Sequence, residues 1–174
     1  VTGSLPACYH LDTSYLLAYL SPPDPSFPET RMASAVLGKL RADGYGLRVS
    51  EPALGEAVGQ LVLKDLSAQA VSLLEVLAPK GLITVFRLER GRLGRFTDLV
   101  NRLKGGLRGR ARRIDAADIV ILALSMADRE CVGLLTLDQQ LMENRHILTV
   151  AAKHTRDRRR FTITNNPYGP RLRL

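Results

Sequence analysis

The chain has 174 residues, 45% of them hydrophobic, with a net charge of +8 and a pI near 10.0. That length and apolar share fit one compact globular domain and exclude a chain disordered throughout. No apolar run approaches the ~20 residues that span a bilayer, and no basic segment leads into a long apolar stretch at the N-terminus, so the expectation is a cytoplasmic protein without membrane contact.

Ala7 to Leu11 reads as a short buried strand. It ends at Asp12-Thr13-Ser14, and Tyr15 to Leu20 suggests a helix. Ser21 to Pro28 holds four prolines and is a loop. A helix is expected from Glu29 to about Ala42, with Met32, Ala35, Val36 and Leu40 on one face. Leu47 to Ser50 is a second strand, and Pro52 suits the first turn of a helix carrying Leu54, Val58, Leu61 and Val62. A further helix is predicted from Leu66 to about Leu77, then a third strand over Leu82 to Phe86. Leu93 to Leu103 can be helical, whereas the three glycines between Gly105 and Arg110 favour a loop. Asp115 to Asp128 is an apolar helix, Val132 to Thr136 a strand, Asp138 to Glu143 a short helix and Ile147 to Val150 the last strand. The domain is expected to span residues 1–152, with 153–174 a basic, poorly patterned tail. Strands alternating with helices imply an α/β fold whose central parallel sheet is covered on both faces. Sites in such sheets form at the carboxyl ends of the strands.

The positive charge is not spread evenly. Arg87 to Arg113 holds ten basic residues against Glu89 and Asp98, and the segment from Lys153 onward holds seven against Asp157. The rest of the chain is net acidic, which is the pattern of basic arms around an acidic centre facing a polyanion. Arg108, Arg110, Arg112 and Arg113 form a dense cluster and are the candidate nucleic-acid-binding residues. Aromatics make up 5% and tryptophan is absent, so extensive base stacking is not expected. Cys8 and Cys131 are far apart, and the three histidines are dispersed. No zinc spacing is present, and buried free thiols are the simplest reading.

Four acids interrupt apolar or tightly patterned segments: Asp12 after the first strand, Glu56 one turn into a helix, Asp118 within Ala116 to Ala123, and Asp138 after Leu134-Leu135-Thr136-Leu137. An unpaired buried carboxylate is costly, and no lysine or arginine lies within a helical turn of Asp118, so an ion, a proton or a distant basic residue must neutralise it. Each acid has a structural alternative. Asp12 and Asp138 could cap the helices that follow them, Glu56 could face solvent, and Asp115 with Asp118 could close a capping box. Oxygen-only ligands suit Mg²⁺ or Mn²⁺, and two such ions about 3.5–4 Å apart can promote phosphodiester cleavage.

At these residues the chain resembles the PIN-domain family. His10-Leu11-Asp12-Thr13-Ser14-Tyr15-Leu16-Leu17 looks like its opening motif, and Ser50 to Glu56 like its second. Ala117-Asp118-Ile119-Val120-Ile121-Leu122-Ala123 is similar to the third, and Leu134-Leu135-Thr136-Leu137-Asp138 to the fourth. The resemblance implies a three-layer α/β/α domain with a central parallel sheet. It implies a metal-dependent endoribonuclease with Mg²⁺ or Mn²⁺ held by Asp12, Glu56, Asp118 and Asp138, and with Thr136 as a supporting hydroxyl. Asp115 is an alternative third ligand. Members of the family include VapC-type toxins and ribosomal-RNA processing enzymes, so RNA, an antitoxin protein and a second copy of the chain are the partners to expect. Two other readings compete: a non-catalytic PIN-like RNA-binding or scaffold protein, and a doubly wound phosphate-binding module. The absence of Gly-x-x-x-x-Gly-Lys-[ST] and Gly-x-Gly-x-x-Gly weakens the latter.

Overall fold

In the computed structural model, residues 7–22, 25–64, 69, 72, 73, 75, 77, 82–107, 114–156 and 159–169 are described. Arg108, Arg110, Arg112 and Arg113 lie outside these residues, as does most of the expected helix from Leu66 to Leu77. The strands are β1 (Cys8–Leu11), β2 (Gly46–Ser50), β3 (Thr84–Phe86), β4 (Cys131–Leu135), β5 (Thr155–Arg156), β6 (Arg159–Arg160) and β7 (Thr162–Thr164). Five of them form one sheet in the order β3-β2-β1-β4-β7, with every neighbouring pair parallel. β5 and β6 make a separate antiparallel hairpin. The α-helices whose bounds fall within the described residues are α1 (Thr13–Leu20), α2 (Pro28–Ala42), α3 (Glu51–Leu63), α4 (Leu93–Leu103), α5 (Ala116–Ala127), α6 (Gln139–Glu143) and α7 (Arg145–Lys153).

The short apolar runs form central strands because both faces are covered. Every residue of β1 and of β4 is buried, and Leu11, Val49, Leu134 and Leu135 are fully enclosed. The result is a three-layer α/β/α domain. Consecutive strands step outward from β1 to β3, and the chain then returns to the other side of β1 with β4. The junction of β1 and β4 is therefore the point where strand order reverses, and the crevice beyond their carboxyl ends is where such sheets bind ligands. Helix α3 packs against both α1 and α5 beside that crevice. Ala53 and Ala57 form the buried stripe of α3, while Val58 and Val62 face outward. The buried face of α2 is Ala33, Val36, Leu37 and Leu40, shifted from the expected Met32, Ala35, Val36 and Leu40.

The end of the chain differs from expectation. Ile147 to Val150 is not a strand but lies within α7, whose N-terminus is capped by Asn144 accepting from the Ile147 N–H at 3.1 Å. Ile147, Val150 and Ala151 are its buried residues, a helical spacing that four β-branched and aliphatic residues taken alone do not reveal. The last strand comes instead from the segment expected as a tail: β7 pairs with β4, the Tyr15 hydroxyl donates to the Asn165 carbonyl at 2.9 Å, and the Tyr168 hydroxyl donates to Asp43 at 2.7 Å. Gly133 makes the β4–β7 pairing close. A Cβ there would stand 2.8 Å from the Thr162 carbonyl oxygen and 2.8 Å from the Tyr9 ring. Gly133→Ala is therefore expected to lower stability by about 1–3 kcal/mol, the cost of overpacking, in urea unfolding. An unchanged midpoint would mean that β7 is not seated against β4.

A polar network lies at the opposite, amino-terminal ends of β1 and β4. Asp128 accepts from His10 Nε2 at 2.8 Å, from Arg48 at 2.7 Å and from the Glu130 N–H at 3.0 Å, and Arg48 also pairs with Glu130. Burial opposes the charge of Asp128, but His10, the Glu130 N–H and Arg48 hold its carboxyl well below the usual range. Among the described residues, no helix is long and apolar enough to cross a membrane.

Candidate functional site

Asp12 is the first residue beyond β1, and its extended backbone makes it the N-cap position of α1. Its carboxylate does not make the side-chain cap bond. Oδ2 instead accepts from the Thr136 hydroxyl at 2.8 Å and the Ser14 hydroxyl at 3.0 Å. Asp12 is buried, and burial raises its pKa against the opposing pull of the two hydroxyls, with the charge of Glu56 adding to the rise. Thr136, itself fully enclosed, accepts from the Asp138 N–H at 3.0 Å, and the Ser14 oxygen accepts from the Leu137 N–H at 3.0 Å. The loops after β1 and β4 are thus laced together by two hydroxyls that also hold Asp12.

Glu56 projects from α3 one turn after its start, beside the alanine stripe that lets α3 approach α1. Its Oε2 accepts from the Thr13 hydroxyl at 2.7 Å, and Gln60 Nε2 stands 3.4 Å from Oε1. Asp138 caps α6, accepting from the Gln140 N–H at 2.7 Å.

Asp118 does two things at once. Asp115 and Asp118 form the capping box that begins α5, the Asp115 N–H donating to Asp118 Oδ2 at 2.8 Å and the Asp118 N–H donating to Asp115 Oδ1 at 3.0 Å. The same Asp118 lines a cavity of ≈170 Å³ with Asp12, Thr13, Ser14, Leu17, Glu56, Gln60 and Asp138. Asp115 does not line it and is exposed. The Asp118 carboxyl is pushed up to about 7 by burial and by the charges of Asp115, Asp12 and Asp138, against one backbone hydrogen bond from Asp115.

All four acids singled out in the sequence therefore meet in one cavity. Each is oriented by at least one protein donor, and Glu56 through both of its oxygens. Among the described residues no lysine, arginine or histidine is ion-paired with any of them. Thr13, Ser14 and Gln60 join them, and sequence reasoning does not single these three out. A signal is present nonetheless: two hydroxyl residues directly after an aspartate, where a strand gives way to a helix, are placed to bond its carboxylate or its neighbours.

A donor set of four carboxylates with oxygen ligands only, with no cation paired to them among the described residues, fits a hard divalent cation. Among the described lining residues Leu17 is the one apolar side chain, and the other seven present oxygen or nitrogen atoms to a metal, water or polar substrate.

Fold and site together give a three-layer α/β/α domain with an acidic cavity at the switch point of its parallel sheet. No protein-family model and no curated protein matches the chain. Among solved structures, VapBC2 from Rickettsia felis, bound to a DNA fragment from its promoter, matches with a TM-score of 0.56 and 13% identity, over 80% of this chain and 95% of that one. VapC20 from Mycobacterium tuberculosis, a sarcin–ricin-loop-cleaving toxin, matches with a TM-score of 0.49 and 15% identity, over 75% and 89%. At 13% identity, the likeness to VapBC2 is one of fold.

Proposed function

We propose that the protein is a Mg²⁺- or Mn²⁺-dependent ribonuclease that hydrolyses RNA phosphodiester bonds in this cavity. The observation that carries the reading is the convergence of Asp12, Glu56, Asp118 and Asp138 on one space with no protein cation paired to them among the described residues. When bound, such an ion supplies Lewis-acid polarisation of a phosphoryl oxygen and a more acidic water. The chain's own part is preorganisation. Thr136 and Ser14 fix Asp12, Thr13 fixes Glu56, the Asp115 N–H fixes Asp118, and the Gln140 N–H fixes Asp138. Carboxylates already aimed by such partners need not reorganise as charge develops on the phosphate. Thr136 is thus a positioning residue.

The basic segments would hold the RNA through its phosphates, an interaction that carries little sequence information. Replacing Arg108, Arg110, Arg112 and Arg113 together by glutamine is expected to weaken RNA binding. It should also flatten the salt dependence by about one unit of slope for each phosphate that is no longer neutralised. Unchanged affinity and slope would assign these arginines to a solvated surface. The likeness of fold to VapBC2 supports a toxin working beside an antitoxin protein, and a second copy of the chain is a further partner to test.

The test is incubation of the purified chain with a mixed RNA pool in Mn²⁺, in Mg²⁺ and in EDTA. Cleavage confined to the metal-containing samples is expected. RNA binding without cleavage in either ion would replace the nuclease with a non-catalytic RNA-binding protein.

A further inference from the structure

A second group of ligand-type side chains lies at the other end of the sheet, and the proposed nuclease chemistry does not use it. Cys8 opens β1 and Cys131 opens β4, and the two residues are register partners in the parallel pairing. The register shifts immediately afterwards, so Tyr9 lies across from Gly133 and Val132 is passed over. His10 follows Cys8 by two residues and shares its face of β1. Each of these three residues offers one ligand atom, and those atoms lie within 4.8 Å of one another. All three side chains are buried, and both cysteines are free thiols.

The histidine is the informative member. Its Nε2 is bonded to Asp128 Oδ2 at 2.8 Å, while its Nδ1 is buried without a hydrogen-bond partner among the described residues. Asp128 already accepts from Arg48 and from the Glu130 N–H, so it also accepts from His10, and Nε2 carries the proton. In the neutral ring, the form that binds a metal, the lone pair is then on Nδ1. A buried acceptor with nothing to accept from is costly, and a carboxylate bonded to the distal ring nitrogen is the usual support of a metal-binding imidazole. Two thiols complete the set.

We propose that Cys8, His10 and Cys131 form a structural zinc site that ties β1 to β4, separate from the carboxylate cavity. Ligands of a tetrahedral zinc ion stand about 3.5–4 Å apart, given Zn–S and Zn–N lengths of about 2.3 and 2.0 Å, so the side chains need to close by less than about 1 Å. Asp128 Oδ2 stays bonded to His10 Nε2, on the far side of the ring from Nδ1, so it supports the imidazole from outside and the fourth position falls to a water. Loading breaks two S–H bonds, forms two Zn–S bonds and releases two protons, with no oxidant or reductant. One Zn²⁺ replaces two protons, so the buried site gains no net charge. That balance distinguishes it from the acidic cavity, whose carboxylates favour hard ions.

The test uses the full chain, produced in zinc-supplemented medium under reducing conditions. About one zinc ion per chain should survive dialysis, and denaturation with a chelator should release it together with two titratable thiols. Refolding the unsubstituted protein with Co²⁺ should give the intense near-ultraviolet thiolate-to-cobalt absorption, a readout that requires no variant. Cys8→Ser with Cys131→Ser should abolish that absorption, and Asp118→Asn should leave it intact. Reduced, titratable thiols with neither zinc nor the cobalt absorption would overturn the proposal. So would a Cys8–Cys131 disulfide, or bound metal that is absent from Asp118→Asn and kept in the serine variant.

Discussion

In EDTA at about pH 8, Asp118→Asn is expected to melt no lower than the unsubstituted protein, to have lost RNA cleavage, and to be more stable than Asp118→Ala. The capping box and the cavity share this side chain, so the two roles must be separated chemically. Asparagine keeps a carbonyl oxygen for the Asp115 N–H and loses the charge that Asp12, Asp115 and Asp138 oppose. Alanine loses the charge and the cap together, and losing a cap costs about 0.5–2 kcal/mol. For a chain of this size, each kcal/mol corresponds to roughly 2–4 °C in Tm. The ordering in metal-free melts is therefore asparagine at or above aspartate, with alanine below asparagine. Asparagine melting below aspartate while cleavage persists would reduce Asp118 to a capping residue.

The metal-free protein should lose stability as pH rises from about 4 to about 7, and Mn²⁺ should restore it. Asp118 titrates near 7 in the folded chain against an ordinary 3.8, and Asp12 is shifted in the same direction by burial. Across that window the folded state holds more protons than the unfolded chain. Stability contributed by the protonated carboxyls is fully present below about pH 4 and is gone above about pH 7. A cation takes the place of those protons. At a hundredfold excess over its dissociation constant it adds about 2.7 kcal/mol, on the order of 5–10 °C in Tm. Thermal melts from pH 4 to 8, with Mn²⁺ and with EDTA, check this. Curves that coincide at pH 8 would show that no ion is bound by the folded chain, and Asp118→Asn should flatten the EDTA curve.

Much of the site is legible in the sequence because acids embedded in apolar surroundings are expensive and therefore conspicuous. Asp118 within Ala116 to Ala123 and Asp12 after an all-buried strand are of this kind, and chain order alone places Asp12 and Asp138 at one sheet edge. The hydroxyls are less visible. Thr13 and Ser14 read as helix-start residues, and only the closeness of α3 to α1 and of β4 to β1 turns them toward Glu56 and Leu137. Cap and ligand read as exclusive alternatives at Asp118, yet one carboxylate has two oxygens and can serve both. The last strand is not where the sequence pattern puts it, because Ile147 to Val150 is too short for its period to decide between helix and strand. The charged residues before Thr162 hide a three-residue edge strand that exists through its pairing with β4. Cys8, His10 and Cys131 lack a spacing in sequence, since a parallel pairing across 123 residues brings them together.

A crystal of the chain soaked in Mn²⁺, measured for anomalous scattering, tests the metal-dependent site most directly. One or two anomalous peaks are predicted within metal–oxygen bonding distance, about 2.0–2.3 Å, of Asp12, Glu56, Asp118 and Asp138. Clear density for the four carboxylates with no peak between them, at Mn²⁺ concentrations where the chain cleaves RNA, would contradict it.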